Sequence, residues 1–346
     1  MRLNRYTGRF ARSIVNAALP VLCLLTSLTG CQRRPLEDPD YNTRVKVRIN
    51  TKAIFNVTCD IYNDKIPVPE IQMDVMHVIF FQEDSDDIAC ETYITNSEID
   101  ETTGDKVFFG DISIVPGTYR LYAYNFGTEA TLIRDQYLWN SVEAYALSVP
   151  ERISSAYSTK VPVDENFTYS PDHLVVARSA REVIPYHSGI YTVNAEGRSV
   201  VESYYLQIKV DGLEYVNSAT AVLSGMSSAN YIALGDRVDD PQSTIYFTME
   251  KSDDQGVPVI CAIFNTFGRP DGSANDLEVT FDLQTKSGAV QRTFNISDLF
   301  LSENCIKHHW LLLDETIHID PPTPSTGGGF VPEVNEWEEE HHEIVL

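Results

Sequence analysis

Val115-Pro116-Gly117-Thr118-Tyr119-Arg120-Leu121-Tyr122-Ala123-Tyr124-Asn125 is the stretch whose pattern decides the fold. Pro-Gly predicts a tight turn, because proline presets φ and glycine is free to take φ > 0. Beyond the turn, Tyr119, Leu121 and Ala123 fall on one face of a strand, since successive side chains of extended chain alternate sides. Upstream, Val45, Val47 and Ile49 alternate with Lys46 and Arg48, the period-2 signature of a half-buried strand. Residues 54–62 and 71–81 continue it, and the second run is apolar enough to be a central strand. Residues 84–87 and 102–105 read as turns, flanking strands at 89–95 and 107–115.

Between 127 and 197 the pattern weakens; 137–146 suits a short helical turn and 172–177 a strand. Downstream, strands are expected at 200–210, 219–223, 231–234, 244–249, 257–267, 277–283, 290–296 and 310–319. Small residues at 225–229 predict a turn, and Lys286-Ser287-Gly288 a hairpin. Many short strands between Gly, Pro, Asn and Asp turns, with almost no 3.6-residue period, predict an all-β chain of antiparallel β-sandwiches. The length suits two domains, placed at 44–185 and 186–320 with the boundary between 178 and 198.

The first thirty residues read differently. Arg2, Arg5, Arg9 and Arg12 precede an apolar run from Ile14 to Leu28 that is too short for the ~20 residues of a spanning helix. This is the layout of a signal peptide. Leu28-Thr29-Gly30-Cys31 resembles the lipobox of bacterial lipoproteins, which implies cleavage between Gly30 and Cys31 and lipidation of Cys31. In such proteins the thiol takes a diacylglycerol and the freed amine an acyl chain such as palmitate. Several chains anchor stably where one binds only marginally, at about 0.8 kcal/mol per buried CH2. Residues 31–43 then form a tether, and loss of 1–30 moves the formal charge from −24 to −28. So acidic a chain is a poor partner for nucleic acid.

Cys59, Cys90, Cys261 and Cys305 show no metal-ribbon spacing. An exported chain permits two disulfides, but Cys59 and Cys261 sit in apolar runs that suit buried thiols equally. No phosphate-loop, dinucleotide or zinc-protease motif occurs, and no cofactor or enzymatic role is read. Gly225-Met226-Ser227-Ser228-Ala229 lacks the closing glycine of a nucleophile elbow. His308-His309 and His341-His342, if on strands, each point to opposite faces and make no metal site. The acidic turn 84–87 lacks the glycine and distal glutamate of a calcium loop. Eighteen tyrosines leave open stacking against a sugar or host ligand, so a surface glycan-binding lipoprotein is the alternative reading.

The 115–125 stretch resembles the "PGxYxLxAYN" segment of fimbrillin-type lipoproteins of the Bacteroidales type V pili. Cys31-Gln32-Arg33-Arg34-Pro35-Leu36, Leu223-Ser224-Gly225-Met226-Ser227 and the ending from Gly327 through Trp337 to Leu346 are similar to a fimbrial anchor and accessory group. The resemblance implies two tandem transthyretin-like sandwiches, lipid anchoring to the outer membrane, fimbrial subunits as partners and a role in cell adhesion. Stalk subunits of that family are cut after an N-terminal Arg or Lys, and Arg44, Lys46, Arg48 and Lys52 are candidates by type. Residues 321–346 carry a Pro/Gly linker and a strand-like tail in which Phe330, Val334, Trp337, Ile344 and Leu346 are the apolar positions. An isolated strand must pair, so the tail either folds back as an edge strand or is donated to a partner.

Overall fold

The computed structural model describes residues 41–51, 73–270 and 277–322. The chain is all-β, as its alternation predicts, with eighteen strands among the described residues. In chain order these are β1 (Thr43–Thr51), β2 (Met76–Gln82), β3 (Ile88–Ile94), β4 (Ser97–Ile99), β5 (Lys106–Ile114), β6 (Gly117–Asn125), β7 (Thr131–Arg134), β8 (Glu143–Ala146) and β9 (Asn166–Tyr169). After them come β10 (Val175–Ile184), β11 (Ile190–Ser199), β12 (Glu202–Asp211), β13 (Val216–Tyr231), β14 (Asp236–Asp254), β15 (Val257–Thr266), β16 (Glu278–Thr285), β17 (Gly288–Asn295) and β18 (Trp310–His318). Two short helices interrupt them, α1 (Glu151–Ser154) and α2 (Glu303–His308).

The chain divides into two units. The first joins β1 to Val75–Tyr124 and Ala177–Gly197; the second takes residues 125–176 and the described part of 198–322. This differs from a single boundary near 178–198. Residues 125–176 side with the second unit because β8 pairs with β13 and β9 with β14.

The first unit is one eight-stranded sheet in the order β3-β2-β6-β10-β11-β1-β5-β4. β3 and β5 pack closely: the Ile94 side chain on β3 lies 2.9 Å from where a Cβ on Gly110 of β5 would stand. β2 is buried along Met76–Phe81, as its continuous apolar run predicts. At the Pro-Gly turn the Tyr119 hydroxyl donates to the Val115 carbonyl at 2.5 Å. Gly117 does not have positive φ. Its constraint is space, since a Cβ there would meet that hydroxyl at 3.1 Å.

In the second unit, β17-β16-β13-β14-β15-β12-β18 form the main path and β7, β8 and β9 attach beside it. β14 makes the sandwich. Its first part pairs with β13 and its last five residues with β15, the way a strand turns a corner between two layers. Phe247 of β14 stacks on Phe264 of β15 at 4.4 Å inside the core.

Several expectations are corrected. The pairings are not all antiparallel, because β1–β11, β12–β18 and β9–β14 run parallel. No turn falls at 225–229: β13 runs on from 219–223 to Tyr231 with two register shifts, Gly225 at φ 82° absorbs the first, and 232–234, expected as strand, lie in the turn into β14. The helical turn falls at 151–157 rather than 137–146, part of which is β8.

Gly212 is held by close approach as well as by φ. At φ 84° its missing Cβ would stand 2.3 Å from the Ile319 carbonyl oxygen, beyond the end of β18. Gly212→Ala should lose roughly 1–3 kcal/mol of stability, read as a lower melting midpoint. Gly256→Ala, at φ 90° but with nothing within 4 Å, should lose less. Equal losses at the two positions would show that backbone strain alone sets the cost.

Candidate functional site

β1 is the first strand of the described residues, and it is an interior strand, between β11 and β5. All nine residues pair antiparallel with β5, from Thr43 opposite Ile114 to Thr51 opposite Lys106. Arg44 to Asn50 also pair in parallel with Ile190 to Glu196 of β11. Val45, Val47 and Ile49 are fully buried, each contributing about 2 kcal/mol by removal from water. A buried threonine fixes each end. Thr43 Oγ1 donates to the Pro185 carbonyl at 2.8 Å and accepts from the His187 N–H at 3.2 Å; Thr51 Oγ1 donates to the Lys106 carbonyl at 2.7 Å.

On the outer face, Arg48 Nη2 donates to Glu98 Oε1 at 2.9 Å and the Lys46 ammonium lies over the Phe109 ring. The candidate cleavage residues Arg44, Lys46 and Arg48 therefore lie within a strand held on both edges. Cutting after any of them would remove backbone partners from two neighbours. Alternation foretold the strand, but nothing local foretold its interior place, because β11 is about 150 residues distant in sequence. The two threonines were not singled out from sequence either; the only signal is a hydroxyl at each end of an alternating run.

Several residues singled out from sequence lie outside the described residues: Gly30, Cys31, Lys52, Cys59, the pair His341-His342, and the tail positions Phe330, Val334, Trp337, Ile344 and Leu346. Cys90 and Cys261 are half-buried thiols and Cys305 is buried, and burial pushes Cys90 and Cys261 up from the ordinary thiol value. Ser227 is buried in β13, its hydroxyl donating to Asp239 Oδ1 at 2.7 Å. His308 and His309 are not strand residues: they close α2, and His309 caps it in the left-handed region. His309 Nδ1–H donates to the Ser203 carbonyl and its ring stacks on Tyr204, whereas His308 stacks on Trp310. Among the tyrosines, Tyr119, Tyr122, Tyr124, Tyr157 and Tyr204 are core residues and offer no face to a sugar.

One titratable cluster around a buried histidine stands out in the first unit. His77 Nε2 lies 2.7 Å from Glu91 Oε1 and Nδ1 lies 2.8 Å from Tyr124 Oη. A carboxylate only accepts, so Nε2 carries the proton and the Tyr124 hydroxyl donates to Nδ1. Tyr93 stacks on the ring at 4.3 Å. Burial lowers the imidazole below its ordinary 6.5, outweighing Glu91, and burial lowers His173 as well.

The class defined by these features is an all-β, two-unit protein in which the first strand of the described residues is built into the interior of a sheet. The chain belongs to the DUF5119 family, a domain of unknown function whose sequence pattern matches residues 51–248. A candidate fimbrium anchoring subunit of Bacteroides ovatus, Fim4B, is 25% identical over 249 residues, 72% of this chain and 64% of that protein. The chain thus aligns with less than two thirds of that relative's length. The crystal structure of a candidate adhesin from Bacteroides ovatus is similar with a TM-score of 0.56 at 21% identity, covering 86% of this chain and 99% of that one, and shows the shared fold. The fimbrial anchor protein Mfa2 of Porphyromonas gingivalis gives a TM-score of 0.46 at 10% identity, over 78% and 88% of the two chains.

The histidines set a pH dependence. Unfolding returns both rings to about 6.5, so below that value the unfolded chain binds more protons than the folded one. The stability these neutral rings contribute is present above about pH 6.5 and is lost as pH falls below it. Thermal midpoints should hold from pH 8 to 7 and drop by several degrees between 6.5 and 5. His77→Gln should flatten part of that drop. An unchanged slope in the variant would assign the loss to other groups.

Proposed function

We propose that this protein is a lipoprotein that anchors or helps to assemble fimbriae at the outer membrane, held there through Cys31. The observation that carries this reading is the place of β1. A tether that continues into an interior strand passes load to hydrogen bonds on both edges, which shear together instead of opening one at a time. An anchor needs that strand in place, whereas a polymerising subunit of the resembled family needs it removed. The relative named as a fimbrium anchoring subunit supports the same role. In this reading fimbrial subunits are the partners, engaged by β-strand exchange through the tail 330–346, and no catalytic function is assigned.

Purification of the lipidated protein from its own outer membrane should bring pilin-like subunits with it. Its N-terminus should be the acylated Cys31, not a cut after Arg44, Lys46 or Arg48. Cys31→Ser should abolish fatty-acid labelling and release the protein from the membrane fraction. Deletion of 327–346 should leave melting nearly unchanged while subunit capture is lost; a large fall in melting point would instead make the tail an edge strand of its own fold. Recovery of a chain trimmed within β1 would overturn the anchor role.

A further inference from the structure

The start of β1 shares its end of the first sheet with two connections. β5 reaches Ile114 opposite Thr43 and turns through Val115, and β11 begins at Ile190 opposite Arg44. The β10–β11 loop is fastened there by Thr43, which binds both the Pro185 carbonyl and the His187 N–H. Apolar and aromatic side chains gather at this end and stay in water: Tyr186 is 61% exposed, Ile190 56%, Tyr41 55% and Val115 50%. Tyr41 stacks on Tyr186 with ring centroids 6.1 Å apart. Scattered exposed apolar residues need no explanation, but a grouped set on one rim marks a contact surface.

The opposite end of β1 has another character. There the β4–β5 turn carries Asp100, Glu101, Thr102, Thr103 and Asp105, all polar. The two ends lie about 27 Å apart, eight steps of extended strand.

We infer that the Tyr41–Tyr186–Ile190 end rests on the surface of the bilayer that holds the lipid of Cys31. This inference depends on the lipoprotein reading. Ten residue steps separate Cys31 from Tyr41, a reach of at most about 35 Å, so this end of the sheet cannot leave the neighbourhood of the membrane. Tethering raises its effective concentration there to the millimolar range, and weak partitioning then suffices. Tyrosine suits the headgroup level, with an apolar ring and a hydroxyl that stays wet.

Charge selects the kind of surface. Arg44 stands beside the patch, and the acidic turn between β2 and β3 approaches the start of β6. In that turn Asp86 faces Arg120 at 3.6 Å and Glu83 pairs with Arg181 at 2.8 Å, while Asp84 and Asp87 add negative charge. Contact therefore rests on aromatic and apolar insertion into a zwitterionic surface, not on attraction to anionic lipid.

The test reconstitutes the full lipidated protein in phosphatidylcholine vesicles containing brominated phosphatidylcholine, which quenches tryptophan on contact. Tyr186→Trp is compared with Thr102→Trp in the polar turn at the far end. The fluorescence added by Tyr186→Trp should be quenched at least twice as strongly as that added by Thr102→Trp. It should be unchanged between low and high salt or on addition of phosphatidylglycerol. Vesicle flotation and fatty-acid labelling of the same samples report the anchor separately. A labelled, floating Tyr186→Trp protein quenched no more than the Thr102→Trp protein overturns the inference and leaves the anchor standing. Quenching that appears only with phosphatidylglycerol and vanishes in salt overturns it in favour of electrostatic adhesion. A protein without lipid on Cys31 overturns both.

Discussion

The first unit depends on the pairing of one backbone segment on both of its edges. β1 offers its N–H and C=O groups alternately to β5 and β11, and buried backbone groups left without partners are costly. With Val45, Val47 and Ile49 fully buried, the strand supplies both ladder and core. The pairing with β11 is parallel, and parallel neighbours need a long crossover between them. Most of the first unit's chain therefore lies between the two strands, and the N-terminal segment joins the sheet only when that intervening chain is present.

The second unit solves a similar problem with one long strand. β14 serves two layers, and β13 keeps pace beside it by means of bulges. The bulged part of β13 is rich in small polar residues because backbone leaves the ladder there and needs other partners. Glu165 supplies some of them: its Oε2 accepts from the Gly225 N–H at 3.1 Å and from the Thr244 hydroxyl at 2.6 Å. Ser227 is matched by Asp239 and Ser243 by Thr168. Serine and glycine in this stretch look like a turn in the sequence for the same reason that they suit a bulge, since both conformations release backbone groups from regular pairing.

What was legible follows from the range of the interaction. Alternation at 45–49, the apolar run ending at Phe81 and the hairpin at Gly288, where φ is 128°, are local, and each strand stands where its pattern placed it. Parallel partners are not local, so nothing in residues 43–51 names 190–196. The segment 125–176 was hard to place because its strands are short and add to a sheet formed by others. The helical turn was misplaced because 151–157 packs only Tyr157 into the core and shows no helical stripe. His77 was invisible as a site, since one histidine in an apolar strand has no partner spacing to read. Its partners Glu91 and Tyr124 arrive from two other strands.

Two buried acids, and the exposed Glu91, are matched by partners of their own sheets. Glu143 is clamped by Arg134 at 2.7 and 3.0 Å across the β7–β8 pair. Asp282 accepts from Gln284 and from Gln291 at 2.7 and 3.0 Å. Glu91 is engaged by His77. Each of these carboxylates accepts from donors of its own sheet, which fixes neighbouring strands to one another. Burial acts on the tyrosines too, taking Tyr157 up to about 12 and so away from ionisation near neutral pH. Polar groups of this kind hold strands in register. Side chains turned outward are another matter, and at the start of β1 the stacked pair Tyr41 and Tyr186 is exposed.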